Sequence, residues 1–488
     1  MPQWLQEFYP VLILLAIVGL VFYRLPTVDV GHAKAYTRRR VMNWLPLGLT
    51  YAFLYMGRYN LKVSQYAFEE MAGPDGGPLM GNTGFGIVFM VGTIVYGVSF
   101  LVNGPLTDRL GGRFSMLTGT CGAMVLNLLM GLGALSLLHE GPLHGFLAEN
   151  FIAVYAVLYA ANMYFQSFGA VAIVKVNAPW FHVRERGVFG AIFGILISLG
   201  IYFAFDIGYM VLEHIGLAWV FLVPALLLGT FWVIDWFVVR NRPSEAGFAD
   251  FNTGDATAGD EGPRLGAVKV FRTMLTNPII MTIAGVEFCS GFLRQAIMQW
   301  YGSFAKQTDA VLGLKSSFVN ENWGLLLCIA GITGGVVAGF ISDHVFQSRR
   351  GPVAGFLYGV MLLGAIVLTF TYTTPIVGWL VVLMSMAVIG VHGMLSGTAS
   401  MDFGGARNAG IAVGIIDGFV YLGTGVMSLT YAVVLPQVEL DDAGHIVGAA
   451  TDPANWRAWP LAMIPVALLG LLLAARLWNA KPRPRSTT

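Results

Sequence analysis

Long apolar stretches separated by short polar segments run along almost the whole chain. A membrane-spanning helix needs about 20 apolar residues, so each stretch of that length predicts one span. The pattern predicts thirteen spans, at residues 8–24, 42–66, 84–106, 114–138, 150–181, 187–212, 215–240, 277–303, 317–342, 352–373, 376–401, 409–436 and 456–477. The predicted fold class is therefore an all-α polytopic membrane protein.

The first span, residues 8–24, has the length of a signal peptide. It lacks a basic n-region and a small-residue cleavage site, and Arg24 follows it. We therefore predict that residues 1–41 form a retained extra transmembrane helix with a basic stalk, ahead of a core of twelve helices. This helix either serves as an insertion anchor or docks a protein partner, and the sequence leaves both functions open.

Composition supports a membrane protein and excludes several function classes. Of the 488 residues, 56% are hydrophobic and 11% are charged, far from the values of soluble domains. The net charge of +1 gives no reason to expect nucleic acid. The three cysteines, Cys121, Cys289 and Cys328, lie in apolar stretches without metal-ligand spacing, which predicts reduced core residues. No nucleotide loop, paired-histidine motif or nucleophile elbow occurs, so we expect neither an enzyme nor a cofactor or metal site.

Charged residues in the loops differ between the two sides of the predicted membrane domain. One side carries, besides the 240–275 segment, Lys34, Arg38, Arg39, Arg40, Arg109, Arg113, Arg184, Arg186, Arg349, Arg350, Arg407, Lys481, Arg483 and Arg485. The other side carries Glu69, Glu70, Asp75, Glu140, Glu149, Glu439, Asp441 and Asp442, with Lys306, Lys315 and Arg457 as its basic residues. By the positive-inside rule the basic side is cytoplasmic. This predicts an inner-membrane protein with its N-terminus outside and its C-terminal tail, residues 478–488, inside.

The longest interruption divides the core into two halves. Residues 241–270, "NRPSEAGFADFNTGDATAGDEGPRLGAVKV", have no apolar periodicity and are typical of a flexible linker. We therefore predict a six-helix bundle at 42–240, a cytoplasmic linker at 241–276 and a second six-helix bundle at 277–477. An offset of 235 or 236 residues relates Gly104 to Gly339, Asp108 to Asp343 and Arg58 to Arg294, so the halves are predicted to be parallel repeats.

The repeated loops contain a candidate latch between the bundles. In "GPLTDRLGGR" the residues concerned are Gly104, Asp108, Arg109, Gly111 and Arg113, and in "GFISDHVFQSRR" they are Asp343, Arg349 and Arg350. An aspartate at a helix end, followed by arginines, can bind a neighbouring helix terminus and hold the bundles together on that side. The alternative is that these arginines only follow the positive-inside rule.

Two arginines lie deep inside predicted spans. Arg58 is sixteen residues into its span, about 24 Å from the start, and Arg294 is seventeen residues into its own. Because an arginine near the bilayer centre costs at least about 2.5 kcal/mol, such residues face a cavity or a partner. At matching depths in repeat-related helices, the two would face each other between the bundles. A guanidinium fork suits a doubly charged anion such as phosphate, although structural ion pairs are the alternative.

Other side chains can complete this site. Tyr51 and Tyr55 precede Arg58 on the same helix face and can donate hydroxyl groups. Lys62, one turn further on, either joins the site or snorkels outward. Tyr421 is a candidate from the eleventh core helix, with simple packing as its alternative.

Three acidic residues also fall inside predicted spans, namely Asp206, Glu287 and Asp417. Glu287 lies seven residues before Arg294 on the same face, so it is a candidate resting partner that an incoming anion would displace. The alternative is that one of these acids carries a coupling proton.

The motifs resemble those of known transporters. The G-x-x-x-D-R-x-G-x-R run from Gly104 to Arg113 matches the signature of the major facilitator superfamily. Tyr51, Tyr55, Arg58, Arg294, "RERG" (184–187), "NRPSEAGF" and "ARNAGIAVGIIDGFVYLGTG" (406–425) resemble the organophosphate:phosphate antiporter family, over residues 42–477. The resemblance implies the major facilitator fold, with Arg58 and Arg294 clamping a phosphoryl group among Tyr51, Tyr55 and Tyr421. It also implies a transporter that exchanges sugar phosphate or glycerol phosphate for inorganic phosphate as the bundles rock. We separately expect the chain to work as a monomer.

The chain departs from the glycerol-phosphate members of that family. They have a lysine where this chain aligns Phe100, a histidine at Pro179 and an aspartate at Gln299. This chain instead carries Lys175, which is either a third cation for the substrate or a snorkelling lysine. Proton symport of an organic anion and a transporter-like sensor of a phosphate ester are the alternatives to exchange.

Overall fold

Most of the predicted core falls within the described part of the chain. A computed structural model describes residue 19 and residues 33–182, 185–251, 253, 267–346, 349–395 and 409–479. The first span, 8–24, lies outside these residues apart from residue 19, as does the tail beyond residue 479. The extra N-terminal helix and its protein partner therefore stay predictions.

Twelve long helices account for most of the described residues, one for each predicted core span. We label them α1 (Lys34–Phe68), α2 (Asn82–Leu110), α3 (Gly112–Leu138), α4 (Phe151–Asn177), α5 (Arg186–Tyr202, continued by a π-helical turn Phe203–Ile207 and by Gly208–His214), α6 (Trp219–Val238), α7 (Pro278–Gln307), α8 (Trp323–Phe340, followed by a π-helical turn Ile341–Val345), α9 (Arg350–Thr371), α10 (Val377–His392), α11 (Ala409–Val434) and α12 (Ala458–Arg476). The twelve predicted core spans are thus confirmed as helices.

Short elements occupy the connections. Short helices or turns cover His144–Glu149, Ala178–Trp180, Pro243–Ala246, Ala267–Leu275, Asp309–Leu312, Phe318–Glu321, Gly448–Thr451 and Pro453–Arg457. The strands Glu439–Leu440 and Ile446–Val447 form an antiparallel hairpin before α12. Among the described residues the chain is therefore almost entirely helical.

Within the part of the chain that the structure describes, ten helical segments are long and apolar enough to cross a membrane. Helices α1 and α7 are also long, with 35 and 30 residues, but they are more polar than the others. These two helices carry Arg58, Lys62 and Arg294, which are the residues expected to bind substrate. Their low hydropathy follows from the polar face that they turn toward the inside of the protein.

The helices pack as two six-helix bundles. Helices α1 to α6 pack on one another, as do α7 to α12, and the closest contacts between the bundles join α2 to α11 and α5 to α8. Successive helices alternate in direction, so the loops fall at two ends. We call the end with Asp108 and Arg350 the basic end, and the end with Glu69 and Asp441 the acidic end.

Polar contacts join the bundles at the acidic end. Lys306 Nζ lies 2.8 Å from the carbonyl oxygen of Tyr66 and 2.8 Å from Glu70 Oε1. The Gln307 amide donates to buried Glu69, and Asn82 Nδ2 donates to the carbonyl oxygen of Pro436 at 2.9 Å. Because these contacts link α1 and α2 to α7 and the segment after α11, this end is closed. We call them the acidic-end contacts.

Candidate functional site

Arg58 lies at the centre of the protein, between the bundles. Its side chain is 1% exposed, and it donates from Nε to Gln166 at 3.0 Å, from Nη1 to Tyr421 at 2.9 Å and from Nη2 to Tyr96 at 2.7 Å. Tyr421 belongs to the second bundle, whereas Gln166 and Tyr96 belong to the first. All three acceptors are neutral, so they orient the guanidinium group without cancelling its charge.

Aromatic rings surround the same guanidinium group. Its central carbon lies 4.6 Å from the ring centroid of Tyr55 and 4.4 Å from that of Tyr96. Tyr51 packs edge-on against Tyr55, with ring centroids 5.4 Å apart. Cation–π contacts of this kind stabilise a buried cation. Tyr55 therefore lies directly beside Arg58, as its spacing along α1 predicts, and Tyr51 lies beside Tyr55.

Arg294 belongs to α7, and we call the region that Arg58, Arg294 and the tyrosines near both of them share the arginine chamber. The tyrosines that contribute to its electrostatic environment are Tyr55, Tyr59 and Tyr421, and the same three contribute to that of Arg58. The next residue, Gln295, donates to the Tyr59 hydroxyl at 3.0 Å. The two arginines therefore lie within electrostatic range of one set of tyrosines, from opposite bundles.

The Nε atom of Arg294 differs from the donors of Arg58. It is buried and has no hydrogen-bond partner among the described residues. A buried donor without an acceptor costs free energy, and an anion in the chamber would supply that acceptor. This atom is the feature of the described site that is best suited to an oxyanion.

Lys62 lies one turn beyond Arg58, toward the acidic end. Its side chain is buried, and Nζ donates to Gln65 at 2.7 Å and to Ser303 of α7 at 2.5 Å. It also lies 4.5 Å from the ring centroid of Phe85. Lys62 therefore points between the bundles instead of snorkelling toward the membrane surface, and it lies between the arginines and the acidic-end contacts.

Lys175 does not belong to the chamber, so its prediction as a third substrate cation needs correction. It lies nine residues past Gln166 on α4, about 13 Å further along the helix axis. Its Nζ atom pairs with Asp108 at 2.6 Å, and the two side chains are 46% and 54% exposed. The sequence showed a lysine inside an apolar run, but not that the acidic side chain of α2 would lie beside it.

Glu287 also has a different partner from the one expected. Its Oε2 atom lies 2.8 Å from Nδ1 of His392 on α10, while Oε1 is buried without a partner among the described residues. Arg294 is seven residues away, about 10.5 Å along the helix, and Glu287 contributes to its electrostatic environment together with the tyrosines. The ion-pair partner of Glu287 in the structure is therefore His392, and Glu287 acts on Arg294 as a nearby charge.

The other two acids lie in separate places. Asp206 contacts the first turn of α8, accepting from the backbone N–H groups of Gly324 and Leu325 at 2.6 and 2.8 Å. Asp417 is half-buried on α11, one turn before Tyr421. Neither is paired with Arg58, whose three hydrogen-bond acceptors are neutral.

The latch residues lie at the basic end, and their hydrogen bonds among the described residues go to the first bundle and to the start of the linker. Asp108 pairs with Lys175, and the backbone N–H of Arg113 donates to Asn241 at 2.8 Å. Gly111 ends α2 with φ +88°, a conformation that favours glycine. Gly104 is buried in α2, and Arg109 is exposed in its last turn. A latch between the bundles thus stays a prediction.

The structure describes only part of the second copy of the motif. Arg350 Nη1 donates to Ser342 at 2.8 Å, and Arg349 Nε donates to the carbonyl oxygen of Phe346 at 3.2 Å. These contacts also stay within one bundle. The side chain of Asp343 lies outside the described residues, so its predicted part in the latch is not tested.

Several residues in and around the chamber were not predicted from the sequence. They are Tyr59, Tyr96, Gln166, Gln295 and His392. Gln166, Gln295 and His392 are polar residues inside apolar spans, which is a usable signal. Tyr59 and Tyr96 carried no such signal, because tyrosines occur throughout the chain.

The chain matches a known family and is similar to several named membrane proteins. The family model described as Major Facilitator Superfamily matches residues 47–428. A glycerol-3-phosphate transporter of Bacillus subtilis (strain 168) is 24% identical and covers 92% of this chain and 94% of that protein. A probable hexose phosphate transport protein of Chlamydia pneumoniae is 23% identical, with coverage of 92% and 93%. Membrane sensor protein UhpC of Salmonella typhimurium is 26% identical, with coverage of 83% and 87%.

Solved structures show the same fold. The nucleoside transporter NupG aligns with a TM-score of 0.57 at 12% identity, covering 90% of this chain and 98% of that one. A bacterial homolog of the human lysosomal transporter Spinster aligns with a TM-score of 0.59 at 14% identity, covering 92% and 97%. With two six-helix bundles around a central arginine chamber and a family match over most of its length, this multi-pass membrane protein belongs to the Major Facilitator Superfamily.

Proposed function

We propose that the chain is a secondary transporter that exchanges a phosphorylated organic molecule, of the sugar phosphate or glycerol phosphate type, for inorganic phosphate. Relatives named as glycerol-3-phosphate and hexose phosphate transporters support the substrate class. The observation that carries the proposal is that Arg58 and Arg294 share electrostatic contacts with the same tyrosines, while the buried Nε of Arg294 lacks an acceptor among the described residues.

Phosphate chemistry suits this chamber. A phosphoryl group is close to doubly negative at neutral pH and has three strong acceptor oxygens. Two guanidinium groups supply a matching positive charge and paired donors that cannot lose their protons. Neutral hydroxyl and amide groups around Arg58 hold the fork in position without competing for its charge.

The same charges favour exchange over net transport. An empty chamber contains two arginine cations in a region of low dielectric constant, which is unfavourable during a change of conformation. A bound dianion neutralises them, so the loaded protein can change conformation more easily than the empty one. Both phosphate and a phosphate ester provide that dianion. Each can therefore support the change of conformation that opens the binding site to the opposite side of the membrane.

For the membrane orientation and the domain boundaries, the proposal adopts what the sequence predicts. We propose that the acidic end faces the outside, and that both the basic end and the 241–276 linker face the cytoplasm. The bundles at 42–240 and 277–477 would rock about the arginine chamber, with the chain working as a monomer. The site residues would be Arg58, Arg294, Tyr51, Tyr55 and Tyr421, with Lys62 toward the outside.

The direct test is transport by the purified protein. We expect proteoliposomes loaded with phosphate to take up labelled phosphate without a pH gradient. Glycerol-3-phosphate or a hexose phosphate should compete, and phosphoglycerates should be assayed beside them. Protein-free liposomes and liposomes without internal phosphate are the controls. Uptake that requires a pH gradient would reject exchange.

Two alternatives rest on specific observations. The Glu287–His392 pair could carry a proton, and uptake driven only by a pH gradient would support proton symport of an organic anion. Membrane sensor protein UhpC is among the relatives, and ligand binding without flux would support a sensor. The exchange assay and a binding measurement on the same preparation separate all three functions.

Tyr421 provides a test of the contact between the bundles at the site. We expect Tyr421→Phe to reduce phosphate exchange about tenfold, because a hydrogen bond to a charged group contributes roughly 1.5–3 kcal/mol. The hydroxyl that accepts from Arg58 is lost, while the ring that packs on Tyr96 remains. Initial exchange rates per amount of folded protein measure the effect.

The matched control is Tyr431→Phe on the same helix. The Tyr431 hydroxyl donates to the carbonyl oxygen of Trp459 within the second bundle. Its removal should leave exchange nearly unchanged. Equal losses in the two variants would mean that Tyr421 acts through general packing of α11.

A further inference from the structure

Asp206 makes an unusual contact across the interface of the bundles. It belongs to α5, yet its Oδ1 and Oδ2 atoms accept from the backbone N–H groups of Gly324 and Leu325 at 2.6 and 2.8 Å. These groups belong to the first turn of α8, where backbone donors have no partner inside their own helix. A carboxylate at a helix N-terminus gains both hydrogen bonds and a favourable interaction with the helix dipole.

Helix α8 has no side-chain cap of its own. The residue before it, Asn322, donates its side-chain amide to the carbonyl oxygen of Phe318 and does not cap α8. The cap therefore comes from the opposite bundle. A contact that completes a helix of one bundle with a side chain of the other depends directly on their relative position.

Local structure on both sides fits this contact. Asp206 lies in the π-helical turn Phe203–Ile207, an irregularity that is frequent at functional sites. Gly324 provides the close approach on α8, because a Cβ atom there would lie 2.8 Å from Asp206 Oδ1 and 3.1 Å from the Asp206 backbone nitrogen. Alanine at this position would therefore displace the carboxylate.

An apolar cluster extends the contact toward the middle of the protein. Ile195, Leu199 and Tyr202 of α5 pack with Cys328 of α8, which is 0% exposed and one turn past Gly324. The acidic-end contacts close the neighbouring part of the same end. When the bundles separate at this end, the hydrogen bonds from α8 to Asp206 break and Cys328 becomes exposed to solvent.

We propose that Asp206 is a gating residue, whose carboxylate holds the acidic end closed by capping α8 from the opposite bundle. Opening exchanges the two protein hydrogen bonds for bonds to water, so it has a moderate free-energy cost. Asp206 thereby sets the balance between the closed and open states of this end. The proposal goes beyond the proposed function and holds for any substrate.

The native Cys328 makes the test direct. With Cys121→Ser and Cys289→Ser, the protein in lipid nanodiscs has Cys328 as its single thiol, and both membrane faces are accessible. The measurement is the rate of labelling by a membrane-impermeant maleimide. We expect slow labelling in the parent and labelling about tenfold faster with Asp206→Ala, since hydrogen bonds to a charged group are lost.

Two further variants distinguish loss of the cap from misfolding. Asp206→Asn keeps one acceptor and should label at an intermediate rate, and Gly324→Ala should accelerate labelling because it displaces the carboxylate. Glu213→Gln, at an exposed acid of the same helix, should leave the rate unchanged. A second reporter with Cys121 as the single thiol should show no acceleration, which separates gate opening from general loosening.

The outcomes are decisive without any transport assay. Faster labelling of Cys328 in the Asp206 and Gly324 variants, with Cys121 unaffected, supports the gate. Unchanged Cys328 labelling in folded Asp206→Ala protein would overturn it, as would rapid labelling of the parent. Because no substrate is present, this result is independent of whether phosphate exchange is found.

Discussion

We expect Arg58→Lys to reduce phosphate exchange about a hundredfold or more, the scale for breaking a buried hydrogen-bonded charge interaction. Lysine keeps the charge, but it has a single donor atom in place of the fork that binds Gln166, Tyr421 and Tyr96. At least one acceptor is then left buried without a donor, so thermal stability should also fall. Exchange and thermal unfolding of the reconstituted protein measure the two effects.

The matched control is Arg272→Lys, an exposed arginine on the short helix Ala267–Leu275. The same chemical change there should alter neither exchange nor stability. Full exchange in folded Arg58→Lys protein would show that charge alone suffices at this position. The guanidinium geometry would then be irrelevant to the substrate, and the proposed clamp would be wrong.

The helices could be predicted well because the membrane imposes a simple rule. Apolar runs of sufficient length must form helices, since the bilayer offers no partner for free backbone groups. The repeat offset also paired Arg58 with Arg294, and this predicted that they approach each other from the two bundles. The π-helical turn that carries Asp206 was not predicted, because it is linked to a contact with α8 that no local pattern records.

The candidate site was only partly predictable, for a physical reason. Buried arginines are conspicuous in an apolar chain, and their cost alone indicates a function. The sequence could not show which neighbours satisfy them. Tyr96 lies on α2 and Gln166 on α4, and only packing places their side chains beside Arg58. The same limit explains the wrong expectations for Lys175, which meets Asp108, and for Glu287, which meets His392.

Arg294→Lys should separate binding from stability. We expect a loss of phosphate exchange of about a hundredfold, similar to that of Arg58→Lys, because in the proposed site the fork donates to the oxyanion from the second bundle. Thermal stability without ligand should change little or even rise. The Nε atom of Arg294 has no acceptor among the described residues, so lysine at this position removes a buried donor that the empty site leaves unsatisfied.

The contrast between the two variants is the sharper test, because it depends on the different partners of two chemically identical side chains. Phosphate should raise the unfolding temperature of the parent protein by mass action, and this shift should vanish in Arg294→Lys while the ligand-free unfolding temperature is preserved. Arg272→Lys should retain the full shift. If Arg294→Lys is as unstable without ligand as Arg58→Lys, Arg294 is a structural cation, and the two arginines do not form a clamp that waits for a dianion.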